Sequence, residues 1–451
     1  MLFSSLEFLF LFLPLSLCLY FILPRRWRNL SLLVNGLVFY AFGDIGALPV
    51  MLLSIALNYA FALILQKLRG KRSALRYVLA AAVAYNIGQL VYFKLQPLSE
   101  LPIGISFYTF QALSYVIDVY RESVAANRSL IDFGAYISLY PQLVAGPIVR
   151  YSAVASELRE RRHGIDLAAD GLRRFCAGLS KKVLLANTAG EMWELFALRE
   201  GFFDAYLGVF FFAMQIYFDF SGYSDMAIGL GRVFGFSFPE NFNYPYTSTS
   251  ITDFWRRWHI TLSSFFREYV YISLGGNRCG RARTYFNLLL TWALTGIWHG
   301  AGLNFLLWGL YFALVLILEK AIVLKALQRL PRVLRRIYSL ALIGIGWLIF
   351  ACDGDSLTLN EGAELLMRAI GVGADGFLSP LSRYELLRHL PLMIIMTFGA
   401  TPLPKRIYLY FAEKGAFPTL VHKLILPIAA LALSVAYIVN SGYNPFLYFR
   451  F

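Results

Sequence analysis

Long apolar runs alternate with short polar connectors along nearly the whole chain, and the connectors carry the charge. Residues 6–23, 30–42, 49–65, 77–93 and 101–117 are apolar; the stretches between them hold Arg25, Arg26 and Arg28, then Lys67, Arg69, Lys71, Arg72 and Arg76, and Arg121 follows the last. A helix needs about 20 mostly apolar residues to cross roughly 30 Å of hydrocarbon, and basic residues collect at the cytoplasmic ends of such helices. Read by that rule, the chain starts outside and every basic cluster falls inside. Glu7 precedes the first run and no small-residue cleavage site follows it, so that run is expected to remain as an anchor rather than leave as a signal peptide.

From 122 to 200 the pattern is mixed, and the region is expected to be mostly cytoplasmic or interfacial. Residues 136–148 are too short to cross and are broken by Pro141, Gly146 and Pro147, which reads as a re-entrant or interfacial segment. Arg150, Arg159, Arg161, Arg162, Arg173, Arg174, Lys181 and Lys182 make the largest basic region. Two readings stand for it: a cytoplasmic surface touching lipid headgroups, or a landing site for an acidic, phosphorylated donor. Residues 204–218 are expected to run outward and 223–236 inward, with Asp219 to Asp225 connecting them. The stretch 252–274 is apolar yet holds Arg256, Arg257, His259, Arg267 and Glu268, as expected of an interfacial or in-dipping helix. Residues 285–298 and 303–318 form a predicted hairpin with His299 at its turn, flanked on one side of the membrane by Arg281, Arg283, Lys320 and Lys325. Residues 338–351 lead out to an extracytoplasmic loop at 353–389, 390–401 return to Lys405 and Arg406, and 424–439 exit to an aromatic tail at 440–451. The count is around twelve crossings, with both termini outside.

Composition agrees with this reading. The 451 residues are 58% hydrophobic and 15% charged, with a mean hydropathy of +0.59, which places the chain among all-α polytopic integral membrane proteins. A net charge of +14 could suggest nucleic acid, but the cations sit in clusters between apolar runs, so the charge is topological and no nucleic-acid partner is expected. Cys18, Cys176, Cys279 and Cys352 have neither C-x-x-C nor ligand spacing, which argues against disulfides and a metal site and for small buried hydrophobes.

His299 is the first candidate for chemistry, because an ionisable group in a membrane hairpin is costly to hold and reads by default as functional. Gly296, Gly300 and Gly302 let backbone or substrate approach it. Its neighbours Trp298 and Asn304 are pocket candidates. The segment Asp253-Phe-Trp-Arg-Arg-Trp-His259 is the second centre. Its arginines and tryptophans suit a headgroup-level anchor, whereas Arg256 and Arg257 equally suit phosphate oxygens; helical spacing would put His259 on the face of Trp255, Arg256 and Ser263, with Trp258 beside it. Asp219 and Asp225, near Tyr223, either orient a pocket histidine or satisfy a helix end or an arginine. His163, His389 and His422 read as interfacial. The tail carries Tyr448, which fits an interfacial belt or a mobile group that enters a pocket. No serine-hydrolase elbow, Walker sequence, zinc-peptidase motif or dinucleotide fingerprint is present in the sequence.

Three stretches together resemble the membrane-bound O-acyltransferase family, in its bacterial alginate O-acetylation branch: Asp253-Phe-Trp-Arg-Arg-Trp-His259, Gly296-Ile-Trp-His-Gly300, and Tyr217-Phe-Asp-Phe-Ser-Gly-Tyr-Ser-Asp225. The opening from Phe3 to Pro14, the stretch from Tyr140 to Pro147 and the C-terminal Phe446 to Phe451 resemble that branch as well. The resemblance implies a helical bundle with a central funnel, in which the histidine matching His299 is catalytic and that matching His259 is a second characteristic histidine. It implies an acyl group, expected to be acetyl from acetyl-CoA, taken up on the cytoplasmic side of the bacterial inner membrane. That group is delivered outside to a polysaccharide such as alginate, cellulose or peptidoglycan, directly or through an SGNH-type extracytoplasmic acyltransferase partner. Tyr448 matches a terminal motif thought to relay the acyl group. Thr261 stands where the family pattern has serine. A transporter or flippase of polysaccharide precursors is the competing class, since broken helices with buried polar groups also describe transport sites; the pairing of Trp298-His299 with Trp258-His259 favours acyl transfer.

Overall fold

The computed structural model describes residues 2–96, 101–354, 357–412, 415 and 419–442. It is 76% helical and contains no strand among these residues. Among these residues the chain forms two compact units: residues 2–179 with Tyr223–Glu240, and Ser180–Gly222 with residues 241–442.

In the first unit, Leu48–Lys67 and Arg72–Lys94 are long and apolar enough to span. Asn58 and Asn86 exchange amide hydrogen bonds of 3.2 and 2.7 Å between them, the arrangement that satisfies polar groups where water is excluded. The helix Ile105–Tyr120 is apolar around most of its circumference and is buried accordingly. Residues 133–149 are buried without exception and form parts of the helices Leu130–Ile137 and Tyr140–Leu143, with Pro141 in the first turn of the second and Gly146 beyond its end. Gly36 permits this segment to approach: a Cβ there would strike the Ser138 carbonyl.

In the second unit Leu303–Leu327, Arg332–Ala351 and Val421–Asn440 are long and apolar enough to span. A further pair, Pro380–Gly399 and Leu403–Phe411, is bent by 78°. Among the described residues five helices thus meet the length and apolarity of a crossing, six with the bent pair, where the alternation leads to an expectation of around twelve crossings. The difference has identifiable sources. No connector separates 204–218 from 223–236: Phe202–Val233 is one helix of 32 residues, supplied in part to each unit. Asp219 and Asp225 do not break it because each carboxylate meets a cation, Lys182 and Arg174 respectively. Lys182 is accordingly no surface residue of the basic region but 2% exposed. The expected loop 353–389 contains the helix Leu359–Ala369, whose capping box is built by Thr358 and Glu361, and the first half of Pro380–Gly399. Of the four free cysteines only Cys352 is buried; Cys18 and Cys279 are exposed and Cys176 is intermediate. Cys18 lies on an apolar helix with other outward-facing apolar side chains, so hydrophobic character there does not imply an interior position.

Candidate active site

The site lies in the second unit and begins with a helical hairpin. Arg281–His299 and Leu303–Leu318 pack closely because small residues face the opposite backbone. A Cβ on Gly309 would collide with the Trp292 carbonyl, and one on Gly296 with the Phe305 carbonyl. Thr291 and Thr295 fold their hydroxyls back onto the carbonyls of Asn287 and Thr291, at 2.6 and 2.8 Å. Polar side chains thereby stay satisfied inside the helix. His299 is the last helical residue, Gly300 is extended, and the chain turns through Gly302. Of the two approaches the glycines were expected to allow, backbone or substrate, close packing of the chain is the one seen: Gly296 meets the Phe305 carbonyl, Gly300 the Phe305 ring and Gly302 the Asn304 side chain. The imidazole is 6% exposed and stands edge-on to three rings, Trp298 at 4.8 Å, Trp308 at 5.0 Å and Phe350 at 5.3 Å between centroids.

The opposite wall is the segment 241–271, which is broken rather than one in-dipping helix. Ser250 caps the short helix Ile251–Trp255 by accepting the Asp253 N–H at 3.0 Å. At its start the buried Glu319 accepts the N–H groups of Ile251 and Thr252 at 2.7 and 2.8 Å and the Thr252 hydroxyl at 2.6 Å. A carboxylate at a helix N-terminus answers both the orphan donors and the helix dipole. After Trp255 the helix stops, and His259 takes φ 41° and ψ 56°, a left-handed conformation rare for a side chain of this size. Such a residue costs about 1–3 kcal/mol and persists only where its surroundings hold it. Here Asn241 does so: its carbonyl accepts the Ile260 N–H at 3.0 Å, and its side-chain oxygen meets His259 Nδ1 at 3.1 Å. The helix Ile260–Phe265 then resumes.

Between the two walls is a cavity of ≈500 Å³ lined by both His259 and His299. Trp255, Trp258, Trp292 and Trp308 supply its aromatic surface, and Arg256, Arg267 and Lys320 also line it. The three cations are exposed and the two imidazoles buried, so the cavity leads from an electropositive surface to a buried, largely aromatic interior. An imidazole there can take a proton from a hydroxyl near neutrality, and aromatic walls keep competing water away.

Not every predicted site residue joins this cavity. His299, His259, Trp258 and Arg256 line it, as do Trp255 and Ser263, although the left-handed break rather than helical spacing brings them together. Trp298 packs on both histidines from behind, 4.8 Å from His299 and 6.4 Å from His259. Arg257 turns away to Asp253 at 2.9 Å. Asn304 donates to the Phe350 carbonyl at 3.2 Å and so fixes the hairpin to the next helix. Asp219 is 2.9 Å from Lys182, which also donates to Asn187 at 2.8 Å. Asp225 and Tyr223 belong to the first unit, where Arg174 bridges Asp225 and Glu240 and Tyr223 stacks on Phe3 at 4.6 Å. Tyr448 lies outside the described residues. Among those residues, no group of three or more His, Cys, Asp and Glu is placed to hold a metal ion.

Sequence reasoning missed Asn241, Glu319 and the burial of Lys182. Glu319 did carry a signal, as the lone acid within the apolar span Leu303–Leu327. Asn241 had none, because its role depends on a contact across 18 residues of irregular chain.

Residues 40–361 match the membrane-bound O-acyltransferase family. A probable alginate O-acetylase of Azotobacter vinelandii is 37% identical, over 100% of both chains. A peptidoglycan O-acetyltransferase of Helicobacter pylori is 32% identical over 82% of this chain and 80% of its own. A teichoic acid D-alanyltransferase of Bacillus subtilis is 27% identical over 53% and 67%.

Proposed function

This chain belongs to the membrane-bound O-acyltransferase family, in its alginate O-acetylation branch, and from that premise we propose that the cavity between His299 and His259 is where it moves an acyl group from a thioester to a hydroxyl. The chain is a multi-pass membrane O-acyltransferase; the residues, donor and route are our reading. The observation that carries it is the meeting of two histidines from separate sequence motifs in one cavity that leads in from exposed cations. His299 takes the proton of the acceptor hydroxyl, and the oxygen attacks the thioester carbonyl. The carbon–sulfur bond then breaks, and the thiolate leaves with the proton. The products are an ester and a free thiol.

Arg256, Arg267 and Lys320 favour a donor bearing phosphate groups; acetyl-CoA is the donor we assign, presented from the cytoplasmic side of a bacterial inner membrane. The named relatives act on alginate, peptidoglycan and teichoic acid, which supports an exocellular polysaccharide as the final acceptor, alginate first among them. Delivery occurs outside, where both termini lie, through Tyr448 or an SGNH-type partner. The test is reconstitution in liposomes with isotope-labelled acetyl-CoA, comparing wild type, His299→Ala and Tyr448→Phe by mass spectrometry of the C-terminal peptide. Label on Tyr448 that disappears in both variants establishes the relay. His299-dependent turnover without that label means direct transfer to sugar or partner, and no turnover with glycan and partner present removes acetyl-CoA as donor.

A further inference from the structure

The side-chain oxygen of Asn241 meets three groups at once: the Thr261 hydroxyl at 2.9 Å, the Thr261 N–H at 3.3 Å and His259 Nδ1 at 3.1 Å. A backbone N–H only donates, so the Asn241 atom it points to is the carbonyl oxygen, and an amide oxygen only accepts. The ring nitrogen facing that oxygen must therefore carry a proton. In the neutral imidazole, protonation at Nδ1 leaves Nε2 with its lone pair.

We infer that Asn241 is a positioning residue of this site, holding His259 as the Nδ1-protonated tautomer so that its Nε2 is a fixed hydrogen-bond acceptor. The inference rests on the acyl-transfer reading for its meaning, though not for its geometry. It divides the labour between the histidines. With its only N–H committed to Asn241, neutral His259 has none to offer a developing oxyanion; it receives an O–H or N–H from bound substrate instead. The left-handed backbone at His259 belongs to the same device, since Asn241 also accepts the Ile260 N–H and so fixes where the ring begins. Thr261 keeps the hydroxyl that orients Asn241, so the exchange of serine for threonine preserves the contact.

Several elements pack around His259. From Phe202–Val233 comes the Phe220 ring, edge-on at 4.5 Å, with Asp219 beside it in the chain and paired to Lys182. From Arg281–His299 come Trp298 and His299, and Arg256, Arg267 and Lys320 line the shared cavity. A carboxylate replacing the Asn241 amide would be a new anion directly on Nδ1–H, and it would favour the charged imidazolium. Asn241→Asp should therefore move the acid limb of kcat/KM to higher pH by about 1 unit, because the accepting form of the ring then survives only at higher pH. Asn241→Ala should lower turnover about 10- to 100-fold, the order of loss known for partners that orient metal-bound histidines. His259→Gln, which retains an acceptor near the Nε2 position, should keep substantially more activity than His259→Ala.

The direct test needs no turnover. Solid-state ¹⁵N NMR of the full chain in liposomes, labelled at histidine and assigned by difference with His259→Gln, should show Nδ1 protonated and Nε2 bare at neutral pH, with that pattern lost in Asn241→Ala. A protonated Nε2 on His259 overturns the inference even if acetyl-CoA turnover is robust. Correct tautomer without any wild-type turnover leaves the inference standing and removes the donor reading. A purely structural Asn241 predicts something else: Asp and Ala variants impaired alike, with the acid limb unmoved.

Discussion

His299 ends a regular helix and His259 interrupts two short ones, yet both side chains reach one cavity. The first is placed by ring edges on three sides and the second by a hydrogen bond to Asn241. Loss of the His299 imidazole should cost about 10²- to 10⁴-fold in turnover, the usual weight of a positioned proton acceptor, with thermal stability in detergent close to wild type. The cations make a separate prediction. Arg267→Ala or Lys320→Ala should raise KM for a phosphorylated donor several-fold while leaving kcat nearly unchanged, and added salt should shrink the difference because exposed charges are screened within about 8–10 Å at physiological ionic strength. Kinetics at two ionic strengths decide this; equal loss of kcat in both variants would place these residues in the chemistry instead. Both histidines were legible in the sequence as polar groups in apolar surroundings. Arg257, Asn304 and the two aspartates were legible only as candidates, because spacing does not tell which of several neighbours a side chain will pair with.

Glu319 joins two elements that the chain brings together from far apart: it is buried in one spanning helix and caps the helix that leads to Trp255 and His259. Its neighbour Lys320 and its partner Thr252 both line the cavity. Removing this carboxylate leaves buried N–H groups without their acceptor, at about 1–3 kcal/mol for each unsatisfied group. Glu319→Ala should lower the detergent melting temperature and reduce turnover together; an unchanged melting temperature would show that the cap is not a structural constraint. Gly309→Ala acts on the hairpin. Its methyl meets the Trp292 carbonyl, so the helices must separate, with a loss of about 1–3 kcal/mol typical of overpacking. The buried pair Lys182–Asp219 predicts an asymmetry: Lys182→Met alone should destabilise by about 3–5 kcal/mol, whereas Lys182→Met with Asp219→Leu should recover much of that loss, since it strands no charge. Denaturation of both variants measures it. The hairpin was predictable because its turn is marked by glycines and its open end by cations. The continuity of Phe202–Val233 was not, since polar residues in an apolar run look like a connector until their buried partners are known.

At the scale of the molecule, the alternation of apolar runs and basic clusters identified a polytopic helical membrane protein, and among the described residues five helices, or six with the bent pair, have the length and apolarity to cross. A buried helix such as Ile105–Tyr120 is apolar because protein surrounds it, and hydropathy alone does not separate that from a lipid-facing span. Orientation remains a matter of charge, and it makes a prediction. With the other cysteines replaced, Cys279 should react with a membrane-impermeant maleimide only from the cytoplasmic side, and a cysteine at Asp375 only from outside. The reverse pattern would invert the proposed direction of transfer. Whether His299 moves the acyl group is read from the rate of thiol release from labelled acetyl-CoA by liposome-reconstituted wild type and His299→Ala, with glycan and partner supplied. Wild type should release thiol steadily, and the rate should fall at least about 10²-fold in the variant, which remains folded. Equal rates in the two proteins would contradict this role of His299, because the acyl group would then move without the histidine around which the cavity is built.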